Sequence, residues 1–243
     1  MTGLGSGAAD DRKYNDTALH FDVDCLPSLL ERHMPPGPIA LADLGCGDGP
    51  HFALLDRTGR IGPARPVYAV DLEAMRLARV SRRFPYIKTI VGPSDHVPEI
   101  PDGSVDLVIS TMVMEHVPDE RRYLDEIRRM LAPRGRAYIT TVYKRGWAWY
   151  FRKRNGEPVL DPSHLREYTD LGAFKDLVME GARFTKLLAV EVEQLWFPLL
   201  DPLLFRLTTD LGALAANPDV IRRLRKPKLP IPGYYSLNIV IER

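Results

Sequence analysis

Cysteine is scarce: the 243 residues hold two, Cys25 and Cys46, and the second sits inside a glycine-rich turn, where a disulfide would obstruct close approach to the main chain. A disulfide-stapled secreted scaffold is therefore excluded, and a reduced, cytoplasmic setting is expected. Neither sign of charge predominates, with 33 Lys plus Arg against 32 Asp plus Glu, so composition offers no extended nucleic-acid-binding surface. Long apolar runs are missing as well. The most apolar stretch, Leu195–Leu207, is interrupted by Pro198, Asp201, Pro202 and Arg206 and is too short to span a bilayer. The segment Met1–Asp11 lacks the basic and apolar regions of a secretory signal and is expected to be a flexible tail over residues 1–12. There is no convincing internal repeat. What remains is an enzyme of small molecules, in a single domain over residues 13–243.

From Ile39 onward, short apolar runs alternate with longer amphipathic ones, the pattern of successive β-α units around a largely parallel sheet. Strands are predicted at Ile39–Asp43, Pro66–Val70, Ile87–Val91, Val105–Ser110 and Ala137–Val142, with helices at Glu73–Arg83 and Asp119–Leu131. Tyr14–Met34 reads as helical with an interruption at Pro27. Lys144–Ser163 reads as irregular, and a helix near Asp170–Glu180 precedes two further strands, Phe184–Val192 and Tyr235–Glu242. Between these lies an insertion, 193–233, read as a cap because structureless loops beyond about 12–15 residues are uncommon.

The strongest chemical signal is the segment Asp43-Leu44-Gly45-Cys46-Gly47-Asp48-Gly49, which follows a strand and opens a helix. Glycines there allow a tight turn and let ligand atoms reach the main chain without Cβ clashes. Asp71 ends the next strand 22 residues after Gly49, placed to accept hydrogen bonds from ribose hydroxyls. A dinucleotide fingerprint needs a third glycine where this chain has Pro50, which disfavours a nicotinamide or flavin. Asp43 and Asp48 can instead attract a cationic amino group.

These residues, with Val70-Asp71, the run 101–106 (Pro-Asp-Gly-Ser-Val-Asp), the run 114–119 (Met-Glu-His-Val-Pro-Asp) and the run 131–136 (Leu-Ala-Pro-Arg-Gly-Arg), resemble the ordered motifs of class I S-adenosylmethionine-dependent methyltransferases. The branch most similar is the small-molecule one called type 11, and the resemblance covers Ile39 to Thr141. It implies a Rossmann-like α/β fold, a seven-stranded mostly parallel sheet with its last strand antiparallel, and S-adenosylmethionine as cofactor. By the same resemblance Gly45, Gly47 and Gly49 surround the methionine half, with Cys46 among the cofactor-binding residues, Asp71 holds the ribose, Leu72 packs on adenine, and Ser110 and Thr111 line the cofactor with backbone groups. The family's Gly-Asp-Ala after the third strand is replaced by Gly92-Pro93-Ser94-Asp95. Asp95, with Ser94 beside it, is expected to take over the adenine amino group; a plain surface turn is the alternative.

Methyl transfer from a sulfonium needs positioning more than acid, and a base only when the acceptor has a proton to lose. His116 and His164 are the catalytic candidates, with structural roles at a helix start or in a loop clasp as the alternative for each. His51, Tyr143, Trp147, Trp149 and Tyr168 are the substrate-binding candidates, and residues 144–168 the substrate loop, whose interleaved rings and cations suit an amphipathic or anionic acceptor. No metal ligand is assigned. An O-methyltransferase acting on a natural-product, sugar or lipid-type hydroxyl is the leading expectation; a non-catalytic cofactor-binding subunit is the alternative. A monomer or homodimer is expected, with membrane contact through the cap not favoured.

Overall fold

A computed structural model describes residues 23–198, 223 and 226–243. The tail 1–12, the start of the expected first helix and most of the 193–233 insertion lie outside the described residues. By its internal contacts the chain divides into two compact units, and the larger, Asp22–Leu195 with Ile231–Arg243, carries the candidate site and all of the sheet except the ends of its last two strands.

Its frame is a seven-stranded sheet. In chain order the strands are β1 (Leu41–Leu44), β2 (Val67–Asp71), β3 (Lys88–Val91), β4 (Val105–Thr111), β5 (Leu131–Lys144), β8 (Lys186–Pro198) and β9 (Lys228–Glu242), arranged β3-β2-β1-β4-β5-β9-β8. The pairs from β3 through β5 are parallel, and β9 closes antiparallel on β5, from Arg136 opposite Glu242 to Lys144 opposite Tyr234. β1 is buried at all four positions because it is central and covered on both faces. Alternate residues feed two separate cores: Ala42, Leu44, Val108 and Ile139 face one way, Leu41, Ala69, Leu107 and Ile109 the other.

Helices fill both layers. On one face lie α4 (Glu120–Met130), with Tyr123, Leu124 and Ile127 inward, and α5 (Leu171–Asp176), which continues as a π-helical turn, Leu177–Gly181. On the other lie α1 (Ser28–His33), α2 (Phe52–Arg57) and α3 (Ala74–Arg83), packed through Leu29, Phe52, Leu55, Leu77 and Val80. Asp119 caps α4 by accepting the Arg121 and Arg122 amides, each at 3.0 Å, and Asp170 caps α5 through Gly172 and Ala173.

Three local expectations change. Val23–Pro27 is not helical; α1 begins directly after Pro27, whose missing N–H is tolerated only at a helix start. The stretch after β5 is not irregular throughout: β6 (Lys153–Arg154) and β7 (Glu157–Pro158) pair across Asn155-Gly156, both at positive φ (52° and 87°). An Asn-Gly pair is the favoured two-residue hairpin turn, so the signal was present. The flanks of the insertion are also strand, since β8 runs to Pro198 and β9 starts at Lys228.

Candidate active site

The glycine loop leaves the carboxyl end of β1, where ligands bind in open α/β sheets. Gly45, Gly47 and Gly49 all have positive φ (68°, 56° and 68°), backbone that L side chains rarely adopt. A Cβ on Gly45 would stand 2.3 Å from Val113 Cγ2, so the turn after β4 lies directly on the loop. Val70 O accepts the Gly45 and Cys46 amides at 2.8 and 3.0 Å, and Asp71 accepts Gly47 N–H at 2.8 Å and Glu73 N–H at 2.9 Å. The acidic end of β2 is thereby fixed against the loop. Cys46 is buried and its thiol is pushed well up by burial, which makes it an unreactive filler.

Beneath the loop, Asp43 Oδ2 and His51 Nδ1 are buried 3.8 Å apart, and neither has a hydrogen-bond partner. Burial holds the Asp43 carboxyl above its usual range, against the opposing pull of His51. Orphaned buried polar atoms are costly and call for a partner. With three glycines bare of side chains above them, they fit a ligand with a polar, cationic group. Asp48 also meets Arg79, its carboxylate 2.6 Å from Nε, which leaves Asp43 as the acid beneath the loop. Leu72 projects beside Asp71 with 71% of its surface exposed. Ser110 is fully buried and donates to Leu44 O at 2.9 Å, while Thr111 is half-buried at the strand end. Met112, next in line, has φ 56°, the kind of strain that gathers at functional turns. Ser94 is buried, and Asp95 borders a cleft of about 350 Å³ lined by charged side chains of α4 and its cap, including Asp119, Arg122 and Arg129.

The two catalytic candidates, 48 residues apart in sequence, come together. The His116 and His164 rings meet edge to face at 4.8 Å. His164 is buried, with Nδ1 2.9 Å from Glu167 Oε1; Glu167 also accepts the Leu160 amide at 2.7 Å and pairs with Lys144 Nζ at 3.1 Å. Burial raises the Glu167 carboxyl, but these partners outweigh it and hold it below its usual range. Glu115 is fully buried; its Oε2 accepts the Thr141 hydroxyl at 2.9 Å, and burial holds this carboxyl above its usual range. Arg166 clasps the two segments, donating to Met114 O, Val117 O and Pro118 O and pairing with Glu120 at 2.9 Å. Leu165 N–H adds a bond to Glu115 O at 2.8 Å. Glu115 and Thr141 were not singled out from sequence, because nothing local marks residues whose partners come from another loop, and Lys144 was read only as a cation of the substrate loop.

The aromatic candidates scatter. Tyr143 is buried against Tyr235, and Tyr168 packs on Phe174 and donates to Glu120 at 2.9 Å, so both serve the core beside the cluster. Trp147 and Trp149 are mostly exposed.

Known proteins agree with this frame. A family model described as "Methyltransferase domain" matches residues 42–139, from β1 through the glycine loop into β5. The matched segment is a methyltransferase domain, and with the relatives and solved structures below it supports a class I S-adenosylmethionine-dependent methyltransferase. Human thiol S-methyltransferase TMT1A is 26% identical over 179 residues, 72% of this chain and 71% of that protein. The malonyl-[acyl-carrier protein] O-methyltransferase of Halorhodospira halophila is 28% identical over 230 residues, 90% of this chain and 73% of that protein. Among solved structures, geranyl diphosphate C-methyltransferase from Streptomyces coelicolor, bound to Mg2+, geranyl diphosphate and S-adenosyl-L-homocysteine, matches with TM-score 0.56 and 18% identity over 88% of this chain and 75% of that one. The cofactor of this methyltransferase is S-adenosylmethionine, and the acidic and glycine residues above fit it. Among the described residues no helix is long and apolar enough to cross a membrane.

Proposed function

We propose that this methyltransferase transfers the methyl group to a hydroxyl oxygen of a small-molecule acceptor, presented at the Glu115–His116–His164 cluster. The observation that carries the reading is the buried His164–Glu167 pair with His116 against it, locked to the turn whose Val113 rests on Gly45. The cofactor supplies an electrophilic methyl on a cationic sulfur. Asp71 is assigned to the ribose, Leu72 to the adenine face and Asp43, with the glycine-loop amides, to the methionine amino group. Glu167 orients the His164 ring, and an imidazole of the cluster takes the hydroxyl proton as the oxygen is alkylated. The relative named a malonyl-[acyl-carrier protein] O-methyltransferase gives a precedent for oxygen.

Thiol is the second reading, favoured by the resemblance to TMT1A, because a thiol also has a proton for the same cluster to remove. Incubation with methyl-labelled cofactor and matched panels of hydroxyl, thiol and amine acceptors separates the readings. Label in hydroxyl acceptors, lost about 10²–10⁴-fold in His164→Asn with cofactor affinity unchanged, is expected. Label confined to thiols would replace the oxygen reading, and full turnover in His164→Asn would remove the cluster from the chemistry.

A further inference from the structure

We propose that Glu115, His116 and His164 form a binding site for one divalent transition-metal cation, of the zinc type, beside the methionine half of the cofactor site. One ligand-type atom from each side chain lies within 4.8 Å of the others. Two imidazoles and one carboxylate form a donor set used by catalytic zinc, with the fourth position left open. The ligands lie in two loops, so their spacing along the chain is not that of a metal motif.

The surroundings are those of a ligand set held ready. His164 Nδ1 is taken by Glu167 at 2.9 Å, which places the proton there and leaves Nε2 as the lone-pair nitrogen. A carboxylate behind a histidine in this way fixes tautomer and ring orientation and raises ligand basicity. Glu115 has one oxygen bound by Thr141, while Oε1 is buried with no hydrogen-bond partner. A carboxylate oxygen in that position is expensive unless something positive completes it. His116 is the exposed member, with Nδ1 3.4 Å from Ser163 Oγ. Tetrahedral ligands at about 2.05 Å from zinc stand about 3.3 Å apart. The spacing therefore closes by up to about 1.5 Å on binding, and the exposed His116 ring is the member freest to move. The Arg166 clasp holds the other two ligands fixed relative to each other.

Nitrogen donors select borderline cations over magnesium, which prefers oxygen. The vacant fourth position suits an acceptor oxygen, a role that rests on the oxygen reading above; the binding of the cation does not. A hydroxyl held there loses its proton to water at near-neutral pH, because the cation stabilises the oxyanion. That oxygen's electron pair forms the new O–C bond while the S–C bond breaks with its pair retained by sulfur. In the metal-loaded protein the cation takes over the activating role that an imidazole plays in the metal-free cluster.

The test uses the full chain, freed of metal with a chelating resin and titrated calorimetrically with zinc chloride and, separately, magnesium chloride. One zinc per chain is expected, bound at least tenfold more weakly by His116→Ala and by Glu115→Gln, with no magnesium heat. His116→Ala removes an exposed ring, and circular dichroism with S-adenosylhomocysteine binding verifies that each variant is folded. No saturable zinc binding, or unchanged zinc affinity in folded His116→Ala and Glu115→Gln, would overturn the site. Stoichiometric zinc binding in a protein that methylates only thiols would sink the oxygen reading while leaving the metal site standing.

Discussion

Replacing Gly45 with alanine probes the joint between the cofactor loop and the reacting cluster. Two effects add. At φ +68° an L side chain costs roughly 1–2 kcal/mol. The new methyl would also stand 2.3 Å from Val113 Cγ2, an overlap of the kind that costs about 1–3 kcal/mol once the neighbour gives way. The sum is about 2–5 kcal/mol, which in a domain of this size lowers the melting temperature by roughly 4–20 °C. Val113→Ala deletes the overlapping atom and leaves the backbone term. Unfolding of the four proteins of the Gly45→Ala/Val113→Ala cycle in urea is therefore expected to give a coupling of about 1–3 kcal/mol, with the double variant regaining about half of the loss. Strict additivity to within about 0.5 kcal/mol would refute the reasoning, because Val113 would then not be resting on the loop.

Glu126 accepts the Val97 amide at 2.6 Å and pairs with Arg129, which also reaches Asp102, Ile100 O and Val97 O. Burial opposes its ionised form, yet Arg129 and the Val97 amide outweigh burial and hold this carboxyl below its ordinary value of 4.5. Its stabilisation is therefore complete above pH 4.5 and is lost as pH falls through the depressed folded value. Glu126→Gln is expected to lower stability at neutral pH by about 1–3 kcal/mol and to flatten the acid limb of a melting-temperature profile; an unchanged acid slope would count against it. Leu72→Ala removes an exposed side chain, so stability should stay within about 0.5 kcal/mol while cofactor affinity falls roughly threefold to tenfold in calorimetry. A large drop in melting temperature without a change in affinity would reassign Leu72 to the fold.

The central parallel strands β1, β2 and β4 were legible because they are covered on both faces. Leu41–Leu44 and Val67–Val70 are unbroken apolar runs apart from Asp43, and the exception is the acid beneath the cofactor loop. The glycine loop and Asp71 were legible for the same local reason, since backbone demands and strand register are written in adjacent residues. β5 was read as starting at Ala137, six residues late. Pro133-Arg134-Gly135 looks like a turn, and Arg134 does take φ 64°, but Leu131 already pairs with Val105 before the register shifts. The polar cluster was legible only in part. His116 stands out singly and His164 with Glu167 three residues on, whereas the significance of Glu115 and Thr141 depends on the Arg166 clasp bringing two loops together, and no local pattern announces that. Asp48 illustrates the converse: its position in the loop suggested a cofactor contact, and its partner Arg79 comes from α3, a helix further along the chain.

The central claim is that the β1 loop and Asp71 hold S-adenosylmethionine, and titration calorimetry of the wild-type chain and of Asp71→Ala with S-adenosylhomocysteine tests it most directly. Asp71 offers charge-assisted hydrogen bonds to two hydroxyls, each contributing about 1.5–3 kcal/mol, and also ties down Gly47 at 2.8 Å. One site per chain, weakened at least tenfold in a folded Asp71→Ala, is the predicted result. No binding by the wild type, or equal affinity in the two proteins, would contradict the account.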